Sequence, residues 1–373
     1  MKFTVSSKEL FSQLNKISGA ISANTVIPIL EDFLVRLGDS SIQVTASDYE
    51  TFMRIDIAVD EVDGSGEIAI PAKMLLDTLK GLPNQPVTID IADNGLVKLV
   101  ATSGEYQLAG EKGEDYPGLP MVEGENEIEF NAEVLRTAIT STLFAVSNDE
   151  LRPAMTGVFL QVNENDLTFV STDAHKLVKY TSIEDGHQSH NGFILPKKAL
   201  TLLKNALGMS DTGLVKMKYS ETNAEFEFDT IRLICRLIDA RFPDYNAVIP
   251  KDNANLMTID RLSLQNALKR LQIYSNKSTY QVVLSLAQDK LELSAQDVDF
   301  SNEANEELNC EYSGDELRIA FSARFLIEIL GVLDTQEITF KLSTPNRAGV
   351  IVPKEQEEGK DLLMLVMPIM INT

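Results

Sequence analysis

Tryptophan is absent from this 373-residue chain, histidine occurs three times and cysteine twice. Each shortage excludes something. Without Trp the largest aromatic ring for stacking on bases is missing. Cys235 and Cys310 cannot build a disulfide framework and lack metal-ligand spacing, which suits a reducing compartment. His187 and His190 share the string DGHQSHNG, whose Gly, Ser and Asn mark a loop, and no H-E-x-x-H pattern accompanies them. His175 lies in STDAHKL. Asp173, two residues away on what reads as a strand end, would face the same way, yet an acid beside a histidine is not in itself an acid-base site. The glycines of GEKGEDYPG (110–118) lack the Lys-Ser/Thr ending of a phosphate loop. No catalytic residue, no metal site and no cofactor is therefore expected. Long apolar runs are missing too: LLMLVMPIMI (362–371) is too short to cross a bilayer as a helix, and MKFTVSSKEL has no apolar core of a signal peptide. The expectation is a cytoplasmic protein with no membrane partner.

What is present is acid. Fifty-six Asp and Glu against 33 Lys and Arg give a formal charge of −23, which on average disfavours phosphate binding. The average hides a repeat. Val5-SSKEL, Phe130-NAEVL and Ile259-DRLSL each close a short alternating strand, offer a polar N-cap and open an amphipathic stretch, at spacings of 125 and 129 residues. Ile70-PAKML, Leu195-PKKAL and Phe321-SARFL repeat at 125 and 126, with Pro71 and Pro196 fitting a strand-to-helix junction. A turn series, VTASDYE, VSTDAHK and LSAQDVD, aligns Asp48, Asp173 and Asp297. Strand-like VTIDI, VKMKY and ITFKL start at Val87, Val215 and Ile338. The chain thus reads as three α+β domains, 1–124, 125–253 and 254–373, each of two strand-helix-strands halves, with boundaries in Pro-, Gly- and Asn-rich segments.

Charge is not spread evenly over this repeat. The six predicted helices, 6–18, 71–81, 131–147, 196–207, 260–277 and 322–334, hold 13 Lys or Arg and 6 Asp or Glu, a net of +7 that leaves −30 on the rest. If the helices shared one face of a curved array, they would line it with positive charge inside an acidic body. Such a lining suits loose, sequence-blind contact with phosphates. The last helix departs from the pattern, with Glu328 and Asp334 against Arg324. Glu50 and Asp299 stand near the place of His175 in the outer copies, which marks the middle turn as specialised. The C-terminal apolar run is a second candidate surface: Pro368 interrupts its strand, and soft methionines suit a groove that accepts several peptides.

MKFTV (1–5), IPIL (27–30), TDAHKL (172–177), ILPKKAL (194–200), DARFPDYNAVIP (239–250), YSG (312–314) and VMPI (366–369) occur in this order along the whole chain. In these strings the sequence resembles the bacterial DNA polymerase III beta subunits, the replication sliding clamps. The resemblance implies a clamp fold with sheets outside and helices lining a ring, closed by a head-to-tail homodimer around double-stranded DNA without sequence preference. It implies a non-catalytic processivity factor that tethers the polymerase III alpha subunit, the clamp loader delta subunit, and other polymerases and repair proteins through linear motifs. The peptide cleft it implies comprises Arg152, Met155, Thr172, Ala174, His175, Lys176, Leu177, Pro243, Val248, Met367, Pro368, Ile369 and Met370. DNA-facing side chains would be Lys73, Lys80, Arg136, Lys197, Lys198, Lys204, Lys269 and Arg270, and dimer contacts Tyr106 and Leu108 against Ile273 and Tyr274. The sequence departs from the family's common pattern in ending MPIMINT without an arginine, in Lys176 for arginine and Ala174 for glycine, in Asn24 at a DNA-touching position, and in NKSTYQVVL (276–284).

Overall fold

The computed structural model describes residues 1–21, 26–122, 126–183 and 192–371. Asn24, His187, His190, the first domain boundary at 124/125 and the last two residues of MPIMINT lie outside the described residues. Three tandem α+β domains are present, each with two strand-helix-strands halves. The six helices are α1 (Ser7–Ile17), α2 (Ala72–Gly81), α3 (Ala132–Leu143), α4 (Lys197–Leu207), α5 (Arg261–Tyr274) and α6 (Ala323–Val332).

The first helix of each domain starts where a side-chain oxygen takes over an orphan N–H. Ser6 Oγ accepts from Glu9 N–H at 3.4 Å, Asn131 Oδ1 from Glu133 and Val134 at 2.9 and 3.2 Å, and Asp260 Oδ1 from Ser263 at 2.7 Å. In the second series Pro71 and Pro196 are the last residues of strands Gly66–Pro71 and Gly192–Pro196, directly before α2 and α4. Three helices end two or more residues before their sequence pattern. After Leu143, Ser147 N–H goes to Met155 O at 2.8 Å, and Thr142 Oγ1 turns back onto Ala138 O at 2.7 Å. Beyond Tyr274, Ser275 Oγ donates to Gln272 O at 2.9 Å and Lys277 Nζ to Ile273 O at 2.7 Å, closing the helix end with side chains. The last helix stops at Val332, two residues early.

The chain packs as two compact units, residues 1–136 with 198–237, and residues 137–197 with 238–373. Unit 1 holds a five-stranded sheet, ending at strand Gly104–Ala109, and a nine-stranded sheet. Within the latter, Thr51–Ala58 of the first repeat pairs antiparallel with Ile231–Arg236 of the second. Unit 2 repeats the plan: its nine-stranded sheet joins Lys176–Ile183 of the second repeat to Lys360–Val366 of the third, and a four-stranded sheet ends at Asn302–Asn309. Sheet pairing across the repeat boundary is why the middle repeat is shared between the units.

Each unit buries the apolar stripe of its helices against sheet. In unit 1 these are Leu10, Leu14 and Ile17 of α1 with Leu75 and Leu79 of α2. In unit 2, Leu264, Leu268 and Leu271 of α5 and Leu326, Ile329 and Leu330 of α6 close on Val282, Leu284, Ile338 and Phe340. Each such side chain contributes about 1.5–3 kcal/mol from area removed from water.

The turn series needs a correction in its third copy. Ser47 faces Phe52 and Thr172 faces Leu177, but it is Asp297 itself that faces Asn302. Asp297 therefore stands one place before Asp48 and Asp173, inside the ladder and 2% exposed. The register counterpart of His175 is Phe300, not Asp299. A one-residue offset moves a side chain to the other face of a strand, and only the pairing reveals it.

Candidate functional site

The middle turn is built by Asp173. Its Oδ1 accepts from the N–H groups of His175 and Lys176, both at 2.9 Å, while Ala174, at φ +76°, donates its N–H to Thr172 Oγ1 at 3.1 Å. Asp173 and His175 are thus not strand neighbours facing one way; the carboxylate is the scaffold of the turn. Burial alone would raise the Asp173 carboxyl, but the hydrogen bonds from the Lys176 ammonium and from the Lys176 and His175 backbone outweigh it and hold it below its ordinary value.

Lys176 is buried, its side chain 6% exposed, and reaches Asp173 Oδ2 at 2.6 Å and Glu328 Oε2 at 3.1 Å. Its ammonium lies 4.7 Å from the Phe325 ring centroid. The His175 ring stacks on the same Phe325 at 5.7 Å and 17°. The turn is therefore pinned to α6 by one ion pair and one ring stack. Its backbone also receives the C-terminal segment: Met367 N–H donates to His175 O at 2.8 Å, and past Pro368, Ile369 N–H donates to Ala320 O at 2.7 Å.

Beside this tail runs a groove of about 580 Å³ lined by Val248, Ile249, Pro250, Ala348 and Met367, with Lys251, Asp252 and Arg347 at its rim. Arg347 is held by Asp252 at 3.0 Å. Below it, Leu177 packs with Val170, Tyr245, Ala348 and Leu365. Tyr245 donates its hydroxyl to Gln161 at 2.7 Å, and Phe242 stacks on Phe159 at 4.9 Å. Val248, Met367 and Met370 are 54%, 42% and 71% exposed.

Of the residues expected to form a cleft, Val248 and Met367 line one groove, and Thr172, His175 and Leu177 adjoin it through the turn and the core beneath. Lys176 points into its ion network instead. Arg152 and Met155 lie in the segment after α3, in which Arg152 Nε meets Asp149 at 2.8 Å. Ala174, Pro243 and Met370 are exposed, while Pro368 and Ile369 are half-buried. Sequence reasoning missed Phe325, Glu328, Asp252 and Arg347. Glu328 had been visible only as a charge of the wrong sign on a basic helix.

The basic set is partly neutralised. Lys198 Nζ meets Asp48 Oδ2 at 2.5 Å and Arg270 meets Glu306 at 2.6 Å, and Lys197 Nζ donates to Asn148 Oδ1 at 2.8 Å. Arg136 is exposed. Lys73, Lys80, Lys204 and Lys269 have no carboxylate within salt-bridge distance among the described residues. Tyr106, Ile273 and Tyr274 are 38%, 65% and 43% exposed, whereas Leu108 is buried in unit 1 at 4%. No group of three or more His, Cys, Asp or Glu among the described residues could hold a metal ion, and no helix among them is long and apolar enough to cross a membrane.

This geometry has close relatives. Residues 1–120, 129–244 and 246–368 match the N-terminal, central and C-terminal domains of the DNA polymerase III beta subunit. The beta sliding clamp of Pseudomonas putida is 30% identical over 380 residues, covering 99% of this chain and 100% of that protein. That of Staphylococcus aureus strain Mu50 is 26% identical, with 99% of each covered. Crystal structures of the sliding clamps of Pseudomonas aeruginosa and Bacillus subtilis superpose over 100% of both chains, with TM-scores of 0.94 and 0.92 at 27% and 26% identity.

Proposed function

The chain belongs to the DNA polymerase III beta subunit family, and from that premise we propose that it is a sliding clamp: two copies close head to tail into a ring around duplex DNA and tether the replicative polymerase. The role is processivity, not catalysis. The observation that carries the ring is the arithmetic of its sheets. Each unit contains one complete nine-stranded sheet that joins consecutive repeats, and the chain is left with a five-stranded and a four-stranded sheet whose edges, Gly104–Ala109 and Asn302–Asn309, are unpaired among the described residues. Joined edge to edge between two copies, these would make a third sheet of nine. Closure removes both exposed edges, which otherwise invite uncontrolled pairing. Tyr106 on the one edge strand, with Leu108 behind it, and Ile273 and Tyr274 at the end of α5 supply the apolar contacts.

The domains 1–124, 125–253 and 254–373 then serve as three near-equivalent sectors per chain, with α1 to α6 turned to the DNA. Lys73, Lys80, Arg136, Lys197, Lys198, Lys204, Lys269 and Arg270 supply a weak positive lining in an otherwise acidic body. Pairing of Lys198 and Arg270 with carboxylates keeps that lining weak, which suits sliding better than grip. The groove beside Met367 takes a short linear motif from the polymerase III alpha subunit, the clamp loader delta subunit, and other polymerases and repair proteins. Two or three buried anchors at about 1.5–3 kcal/mol each, less ordering costs, give an affinity that permits exchange. Tethering then raises the polymerase's local concentration at the primer end. The setting is the cytoplasm.

The test is topological. Loaded on nicked circular DNA, the protein is expected to survive a salt wash that removes ordinary phosphate binders and to leave within minutes of linearisation. Equal loss from both forms refutes encirclement.

A further inference from the structure

The charges around the groove run against the rest of the chain. The ionised side chains that line it are Lys251, Asp252 and Arg347, so two cations stand with one carboxylate in a chain of formal charge −23. Lys251 is exposed, with no carboxylate within salt-bridge distance among the described residues. Arg347 meets Asp252 fork to fork, Nη1 on Oδ2 at 3.0 Å and Nη2 on Oδ1 at 2.5 Å.

That pair is not what fastens the rim; Asn253 is. Its side-chain amide donates to Lys341 O at 3.0 Å and to Ala348 O at 2.9 Å, gripping both ends of the loop between strands Glu337–Leu342 and Gly349–Pro353. Inside the loop Arg347 N–H donates to Thr344 O at 3.1 Å, and Thr344 Oγ1 to Asn346 Oδ1 at 2.8 Å. The backbone under Arg347 is thus fixed, while the side chains of Arg347 and Asp252 stay 40% and 70% exposed. A pair so exposed adds little to folding, because water already solvates both ions. It is open to exchange, since the planar guanidinium offers two parallel N–H groups to any carboxylate that reaches it.

We propose that Arg347 selects the segment that enters the groove, exchanging Asp252 for an aspartate or glutamate that flanks the apolar anchors of the incoming chain. Asp252 is then an internal competitor, which lowers affinity for an acidic segment and not for a neutral one. On exchange Asp252 returns to water at little cost, whereas the incoming carboxylate is held against an apolar groove, where a pair is screened less. Lys251 adds a second attraction of the same sign. A basic segment meets two like charges and is turned away. The inference rests on the groove reading above and adds to it the charge that the occupant carries.

A randomised peptide library panned on the full chain tests it, followed by fluorescence anisotropy of an enriched peptide and of its Gln or Asn isostere. The wild type is expected to enrich Asp and Glu beside apolar residues. It should bind the acidic peptide about five- to tenfold more tightly than the isostere at low salt, a ratio that falls towards one in about 0.5 M salt. Arg347→Gln should bring the ratio near one with the thermal unfolding profile unchanged, and Arg347→Glu should turn enrichment towards Lys and Arg. Asp252→Asn should tighten the acidic peptide about threefold relative to its isostere, because the competitor is gone while the guanidinium stays. A pair with a merely structural role would instead weaken both peptides alike in either variant, and that result overturns the exchange. Groove peptides without charge preference, or a preference that survives Arg347→Gln, also overturn it and leave the groove reading standing. Enriched peptides whose binding ignores Met367→Ala with Met370→Ala overturn both.

Discussion

In both units a strand end returns to the carbonyl of a turn's third residue, Arg236 N–H to Glu50 O at 3.0 Å in unit 1 and Met367 N–H to His175 O at 2.8 Å in unit 2. The backbone frame is the same and the filling differs. Around Asp48 the turn presents Glu50 and Arg236, and its carboxylate is closed by Lys198, whose side chain is 38% exposed. Around Asp173 it presents His175 and Met367, and the corresponding charge is carried inward by Lys176 at 6% exposure. One site is charged and sealed; the other sinks its charge and shows an apolar groove. Beneath them the contrast recurs, because the small core of Ile29, Leu30, Leu34, Ala69 and Tyr116 buries Asp32 at its edge, whereas the core under the groove satisfies Tyr245 through Gln161. A repeated frame is thus compatible with one binding site per chain, because side-chain burial decides which copy opens.

The largest effect should come from the buried lysine. Lys176→Ala leaves Asp173 and Glu328 facing each other half out of water and is expected to cost about 3 kcal/mol or more in urea unfolding. Lys198→Ala, removing a half-exposed pair, should cost about 1 kcal/mol or less. Similar losses would erase the distinction between the two turns.

Asp32 comes next. Burial first, and then Glu111 and Glu31, push its carboxyl up from 3.8 to about 6, and burial together with the Asp32 charge pushes the Tyr116 hydroxyl up as well. Between those two values the folded chain holds the proton and the unfolded chain does not, so stability falls as pH rises from about 4 to 6 and is level above. Asp32→Asn should therefore stabilise the protein by on the order of 2–3 kcal/mol at pH 7–8 and hardly at all at pH 4, one pKa unit being worth about 1.4 kcal/mol. A pH-independent difference would show that the carboxylate is not under this strain.

At the groove, Met367→Ala with Met370→Ala should weaken a polymerase-derived peptide at least tenfold by fluorescence anisotropy while sedimentation shows the oligomer intact. Glu50→Ala with Arg236→Ala should leave the peptide unaffected. The smallest expected effect is electrostatic: the cost of Lys198→Ala should shrink further in 0.5 M salt, because its pair is partly screened, while that of Lys176→Ala should not.

Much of this was legible in sequence. Period located all six helix starts to within a residue, helped at the first helix of each domain by capping, a local event between Ser6 and Glu9 or Asp260 and Ser263, and at α2 and α4 by Pro71 and Pro196. Helix ends were less legible, since the stops after Leu143 and Tyr274 depend on where Ser147 N–H and Lys277 Nζ find acceptors. The offset of Asp297 was hidden for a similar reason: an acid near the right spacing looks equivalent until strand pairing assigns its register. At the groove Val248 was visible in DARFPDYNAVIP and Met367 in VMPI. Phe325 and Glu328, about 150 residues from the turn they hold, were not.

The sequence by itself determined the threefold repeat, the two halves of each domain and the concentration of basic residues on helices, because all three are set by neighbours within a few turns of chain. Tertiary structure alone decided that sheets run across repeat boundaries, that Lys176 belongs to α6 rather than to the surface, and that among the described residues two sheets end at Gly104–Ala109 and Asn302–Asn309. Strand pairing and ion-pair burial join residues separated by a hundred positions or more, and no local pattern specifies which distant partner a strand edge or a buried charge will meet.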